Sequence, residues 1–174
     1  IADALSSHTL TAFTGVLHAA GVLHDKTLFS MALIDVAAVF APKALAAFHL
    51  QATAAPTPVE VFGLFSSVAS AFGNVGQANY SAANAYLDGV ASCRRSCGIL
   101  GSSLQIPAVR DAGMGASTFD SEQLDAMGAI SLNEFAGHVS SVLIATPAVM
   151  IRPLALLATT MLEHCMTPCA IEQS

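Results

Sequence analysis

Short apolar runs alternate along this chain with stretches where apolar positions recur every three or four residues, a rhythm that predicts βα units feeding a parallel sheet. The first run, Ala12 to His18, is apolar and partly β-branched and ends at Ala19-Ala20-Gly21. A strand covered on both faces by helices reads this way. From Leu28 to Thr53 the residues Leu33, Val36, Ala37, Phe40, Ala44, Ala47, Phe48 and Ala52 keep helical spacing, so one long helix is expected, with Pro42 as a kink or restart. Pro56 and Pro58 break the chain before a second strand-like run, Val59 to Phe65.

Beyond it, Ser66 to Asn79 is small, polar and glycine-containing, and Tyr80 to Cys97 has the pattern of a helix of about five turns. Gly98 suits the position just past its end. Ser102 to Ile106 predicts a short strand halted by Pro107, and Ala108 to Ser121 reads as a loop beside a site. Ser131 followed by Glu134 is a capping-box signature for a helix through Ile144, ended by Pro147, with Val149 to Arg152 as a last strand. The sum is an α/β class chain of about four parallel strands, with residues 1–155 as one partial domain and 156–174 as a tail or short helix.

Composition narrows the classes. Apolar residues make up 54% and charged residues 10%, the reverse of a disordered chain. Six Lys and Arg against twelve Asp and Glu leave a net charge of -6, which argues against nucleic acid as a partner because a phosphate backbone needs a basic stripe. No uninterrupted membrane-spanning run is expected: Val61 to Leu87 lacks formal charge but contains Asn74, Gln77, Asn79, Tyr80 and Asn84. The chain opens on Ile1 with no signal-peptide pattern. Cys93, Cys97, Cys165 and Cys169 fall in two i, i+4 pairs, read as reduced thiols on helix faces rather than as metal ligands. A reducing compartment, cytoplasm or organelle stroma, is the expectation. His18 and His49 are read as core or helix-face histidines. Arg94-Arg95 is read as a solvated face, with docking of an acidic carrier helix as the functional alternative.

Candidate chemistry concentrates between Lys43 and Asn84. Ser66 and Ser67 close a predicted strand, where open α/β sheets place ligands, and Tyr80 and Asn84 stand one helical turn apart. Lys43 is one of two lysines, the other being Lys26. An ammonium beside a phenol stabilises the phenolate and makes proton transfer near neutral pH feasible.

The segment LFSSVASAFGNVGQANYSAANAYLDGVA, Leu64 to Ala91, resembles the active-site region of ketoreductase domains of polyketide synthases and animal-type fatty acid synthases, members of the short-chain dehydrogenase/reductase superfamily. GVLHAAGVLHD, Gly15 to Asp25, resembles the preceding strand and loop of that family, and APK, Ala41 to Lys43, its lysine-bearing helix. The resemblance runs from about residue 10 to about residue 152. It implies a Rossmann-like doubly wound sheet of which this chain is the carboxyl-terminal part. The first nucleotide-binding βαβ half is missing: no G-x-G-x-x-G occurs, and Gly73-Asn74-Val75-Gly76 is the nearest sequence.

By that resemblance Tyr80 donates the proton to a substrate carbonyl, Ser67 orients the carbonyl, Lys43 lowers the tyrosine pKa and holds the nicotinamide ribose, and Asn84 completes the relay. NADPH is the implied cofactor, approached by Ala19, Ala20, Gly21, Pro107 and Val109 together with Lys43 and Tyr80. Asp25, Phe72 and Asn79 fall at positions tied to substrate and stereochemistry, with Asp25 and Phe72 pointing to a B-type, D-hydroxy product. Ile106-Pro107-Ala108 departs from the tryptophan and glycine common in the family. The implied partners are an acyl-carrier protein bearing a phosphopantetheine-bound β-ketoacyl group, and the missing amino-terminal half or a chain that covers the open sheet edge. Two functions follow: the carboxyl half of an NADPH-dependent β-ketoacyl reductase of polyketide or fatty acid synthesis, or a truncated, catalytically silent fold acting as a structural subunit.

Overall fold

A computed structural model describes residues 14–55 and 58–144. Strand β1 (Gly15–His18) leads through an irregular loop and a 3-10 turn at Leu28–Ser30 into helix α1 (Leu33–Phe40), a π turn (Ala41–Leu45) and helix α2 (Ala46–Ala54). Strand β2 (Val61–Ser67) is followed by the one-turn helix α3 (Ala69–Phe72) and the long helix α4 (Ala78–Ser96). Strand β3 (Ser102–Ile106), the short helices α5 (Gly113–Thr118) and α6 (Ser121–Ala126), and helix α7 (Leu132–Ile144) complete the described chain.

The three strands form one parallel sheet in the order β1-β2-β3, with Gly15 opposite Val61 and Ser67 opposite Ile106. The doubly wound, parallel class is therefore present in part. The expected strand Val149 to Arg152, the Pro147 stop and the tail 156–174 lie outside the described residues. Period-two alternation in β2 sends Phe62, Leu64 and Ser66 toward α4, where Phe62 and Leu64 join Ala47, Ala54, Leu87, Val90 and Ala91 in the main core. Phe65 points the other way and meets Phe135 of α7 edge to face, ring centres 6.0 Å apart. A second small core of Val39, Ala69, Tyr80 and Ala83 seats the amino-terminal end of α4 on α1 and α3.

Several expectations need correcting. Leu28 to Thr53 is not one α-helix. The chain enters through the 3-10 turn and an extended link, and Pro42 neither ends nor restarts the helix but sits in the π turn. Proline has no N–H to give and its ring crowds the preceding turn; the wider turn absorbs both, with the Ala46 N–H donating to the carbonyl of Ala41. The helical run Leu33–Ala54 then reaches 22 residues and is long and apolar enough to cross a membrane, contrary to expectation. Its two charged residues, Asp35 and Lys43, are nevertheless buried against the rest of the protein. The small-residue segments after β2 and β3 carry the short helices α3 and α5 rather than being loops throughout.

Other expectations match the structure. Gly98, at φ +73°, ends α4, and the Ile99 N–H caps the Arg94 carbonyl. The Ser131 hydroxyl and the Glu134 carboxylate cap α7 reciprocally. Arg94, however, is no solvated residue. It is 2% exposed, its guanidinium lies 3.8 Å from the Phe62 ring centre, and its Nε donates to the Leu100 carbonyl. Gly101 makes this possible, since a Cβ there would stand 2.9 Å from the Arg94 Cβ.

Candidate active site

The carboxyl ends of β1, β2 and β3 open onto a cleft of about 310 Å³. Lys43, Ser67 and Tyr80 converge on it from three different elements: the π turn, the end of β2 and the first turn of α4. Lys43 is 3% exposed; its Nζ donates to the Phe65 carbonyl at 2.8 Å and lies 5.5 Å from the Tyr80 ring centre. Burial lowers the Lys43 pKa to about 8, opposed by the charge of Asp88. The His18 Nε2–H donates to the Lys43 carbonyl at 2.9 Å, tying the π turn to the end of β1, and burial keeps this imidazole below its ordinary pKa and neutral. His49 is exposed on α2.

Contrary to the expectation that Lys43 lowers the tyrosine pKa, burial pushes the Tyr80 phenol above its ordinary value; the Asn84 and Ser67 side chains act against that rise and Asp25 adds to it. A buried, protonated phenol held beside an ammonium and a hydroxyl is equipped to donate a proton. Strand alternation separates the two serines. Ser66 is buried and donates to the Asn84 carbonyl, while Ser67 faces the cleft and accepts the Ala69 N–H at 3.2 Å. Asn84 is fully buried on α4, one turn beyond Tyr80; its amide donates to the Tyr80 carbonyl, and its Oδ1 has no partner among the described residues.

The remaining sequence-selected residues divide between cleft and clasp. Ala19, Phe72, Pro107 and Val109 line the cleft, with Val109 also bridged to Ile130. Gly21 packs on Lys43, where an added Cβ would meet the lysine Cε at 3.0 Å. Ala20 is exposed and off the cleft lining. Asp25 and Asn79 also lie off the lining: Asp25 accepts from Gln77 at 2.9 Å, and Asn79, buried, donates to the carbonyls of His24 and Asp35. These two fasten the loop after β1 to the start of α4.

Asp35, which the sequence pattern passed over, anchors the same clasp. It accepts from the Ala32 N–H and pairs with Lys26 and His24 at 3.0 and 2.8 Å, and the Ala32 bond above all, then Lys26, holds its carboxyl below the usual range. Asp88 was missed too. Its carboxylate collects Ser70, Ser103 and Gln105. Cys93 and Cys97 are free and exposed; Cys165 and Cys169 lie outside the described residues.

A parallel α/β sheet with a lysine, serine and tyrosine grouped at the carboxyl ends of its strands has the Rossmann-like architecture, which places ligands there. The KR domain family model matches residues 1–111, and the chain belongs to that family. It is 52% identical over 90 residues to "Polyketide synthase GfsA" of Streptomyces halstedii, covering 52% of this chain and 1% of that protein. It is 39% identical over 122 residues to "Hybrid PKS-NRPS synthetase thnA" of Trichoderma harzianum, covering 69% of this chain and 3% of that one. A solved "Structure of A-type Ketoreductases from Modular Polyketide Synthase" superposes with a TM-score of 0.72 at 34% identity, over 82% of this chain and 32% of that one. This chain thus spans about a third of that solved ketoreductase and a few per cent or less of these two synthases.

Ketoreductases of this superfamily bind a nicotinamide dinucleotide. The residues present fit its reactive end, for the cleft gathers Lys43, Tyr80 and Ser67, and Gly21 packs directly against the lysine. They offer no glycine-rich turn for the pyrophosphate.

Proposed function

We propose that this chain is the carboxyl-terminal, catalytic part of an NADPH-dependent reductase that converts a β-ketoacyl thioester to the β-hydroxyacyl thioester in polyketide or fatty acid synthesis. The observation that carries the reading is the convergence of Lys43, Ser67 and Tyr80 on one cleft. When bound, the cofactor supplies the hydride. Lys43 and Tyr80 would hold its ribose, with Ala19, Gly21, Pro107 and Val109 beside the ring. Ser67 donates a hydrogen bond to the substrate carbonyl and sets its orientation. Tyr80 delivers its phenolic proton to the same oxygen as charge develops there, and the Lys43 ammonium stabilises the phenolate left behind. Asn84, with its free Oδ1, completes the path that returns a proton to Tyr80.

The phosphate-binding turn would come from a preceding amino-terminal half or a partner chain lying along the outer edge of β1. The substrate would arrive on the phosphopantetheine arm of an acyl-carrier protein. Exposed thiols at Cys93 and Cys97 fit a reducing compartment, cytoplasm or organelle stroma.

The test uses the full-length polypeptide with NADPH and a β-ketoacyl thioester. Tyr80→Phe is expected to cut turnover by about 10²- to 10⁴-fold while NADPH still raises the melting temperature. Unchanged turnover in that variant would overturn the mechanism. A parent protein that neither turns over nor gains stability from NADPH would replace it with the silent, structural reading.

A further inference from the structure

We propose that Asp88 is a positioning residue of the site, whose carboxylate fixes the turn carrying Ser67 against the helix carrying Tyr80; this rests on the reductase reading. Asp88 lies on α4 one turn beyond Asn84 and two beyond Tyr80, so it shares their side of the helix. Its Oδ2 accepts from the Ser70 hydroxyl at 2.6 Å and from the Gln105 amide at 2.9 Å, and its Oδ1 accepts from the Ser103 hydroxyl at 2.5 Å. Gln105 also donates to the Ser70 hydroxyl at 3.0 Å, which closes a triangle across three elements.

Each arm of this triangle reaches a catalytic group by a short covalent path. Ser70 stands three residues after Ser67, in the one-turn helix whose first residue, Ala69, donates its N–H to the Ser67 hydroxyl. Gln105 precedes Ile106, whose carbonyl accepts the Val68 N–H, so the same turn is pinned to the end of β3. The spacing between the Ser67 hydroxyl and the Tyr80 phenol therefore depends on one carboxylate.

All three partners point hydrogens at it, which suits an ionised, acceptor-only group. An asparagine there offers a single acceptor oxygen and turns an NH₂ toward the donors. Charge adds a second effect. Asp88 is the carboxylate whose charge acts to keep Lys43 protonated, against burial that pulls the other way.

The test compares Asp88→Asn with Ser103→Ala in the full-length polypeptide, because the first removes charge and geometry together and the second removes one donor only. Turnover with NADPH and a β-ketoacyl thioester is one readout. The other is the titration midpoint of Lys43, read by competitive acetylation and mass spectrometry across pH, which needs no catalysis.

For Asp88→Asn we expect kcat to fall about tenfold with the KM for NADPH unchanged, and the Lys43 midpoint to move from about 8 to lower pH by about half a unit. Ser103→Ala should lower kcat by about threefold, the loss of one hydrogen bond, and leave the midpoint in place. An unmoved midpoint in Asp88→Asn, or equal kcat losses in the two variants that simply follow melting temperature, would overturn the proposal. If Asp88→Asn does not fold, Gln105→Leu takes its place: a normal kcat there would overturn the positioning role, and a reduced one would uphold it. A parent protein without turnover counts against the reductase reading alone, since the Lys43 titration still decides whether Asp88 acts on the lysine.

Discussion

The two sides of the cleft are built differently. The wall formed by the π turn, β2 and α4 holds Lys43, Tyr80 and Asn84 all less than a tenth exposed, each tied to backbone carbonyls or core side chains. The opposite rim, from α5 through α6, has no buried residue in α5 and only Leu124 in α6. Met114 and Phe119 reach the cleft from this thin side. A rigid wall can hold proton donor and carbonyl ligand in register, whereas a sparsely packed rim opens at low free-energy cost. On the proposed reductase reading, chemistry and substrate fit would fall to different parts of one cleft.

The strongest way to break this contrast is at the wall. Leu87 is fully buried between Asn84 and Asp88 in the main core, and Leu87→Ala is expected to cost about 2–5 kcal/mol of stability, measured by denaturant unfolding of the full-length polypeptide. A loss below 1 kcal/mol would mean that the wall is not the rigid side. Next in size is the pH response. Lys43 has its pKa lowered to about 8, so its ammonium is present below that pH and lost above it. Reduction measured as kcat/KM should then fall about tenfold per pH unit above that midpoint, and a profile flat to pH 10 would separate Lys43 from the chemistry. Smallest is a change on the rim. Met114→Ala should leave the melting temperature within about 2 °C, as a loosely packed position allows, while KM for the acyl substrate changes a few-fold. A large drop in melting temperature would erase the distinction between the two sides.

The sequence made legible those features whose causes are local. The Ser131 and Glu134 cap, Gly98 past the end of α4, and the strand Ser102 to Ile106 each depend on residues within a few positions of one another. Lys43, Ser67, Tyr80 and Asn84 could be picked out together because their order resembles a family pattern. What stayed hidden depends on distant partners. Asp88 meets Ser103 and Gln105 across fifteen or more positions, and no periodicity marks such a triangle. Arg94 looked like half of a solvated pair until Phe62 and the carbonyl of Leu100 enclosed it, and the missing side chain at Gly101 was its one local sign. Pro42 announced an irregularity without saying that the chain would widen its turn rather than break.

That widened turn sets the phase of everything around it. One residue of α-helix is about 100° of rotation, and the π turn Ala41–Leu45 takes up one extra residue in roughly the rotation that a shorter α stretch would cover. Asp35 in the clasp and Ala47 in the core therefore both face inward, although plain α-helix would set residues twelve apart on different sides. The turn is slack taken up in one place, so that both ends of the helical run keep their facing.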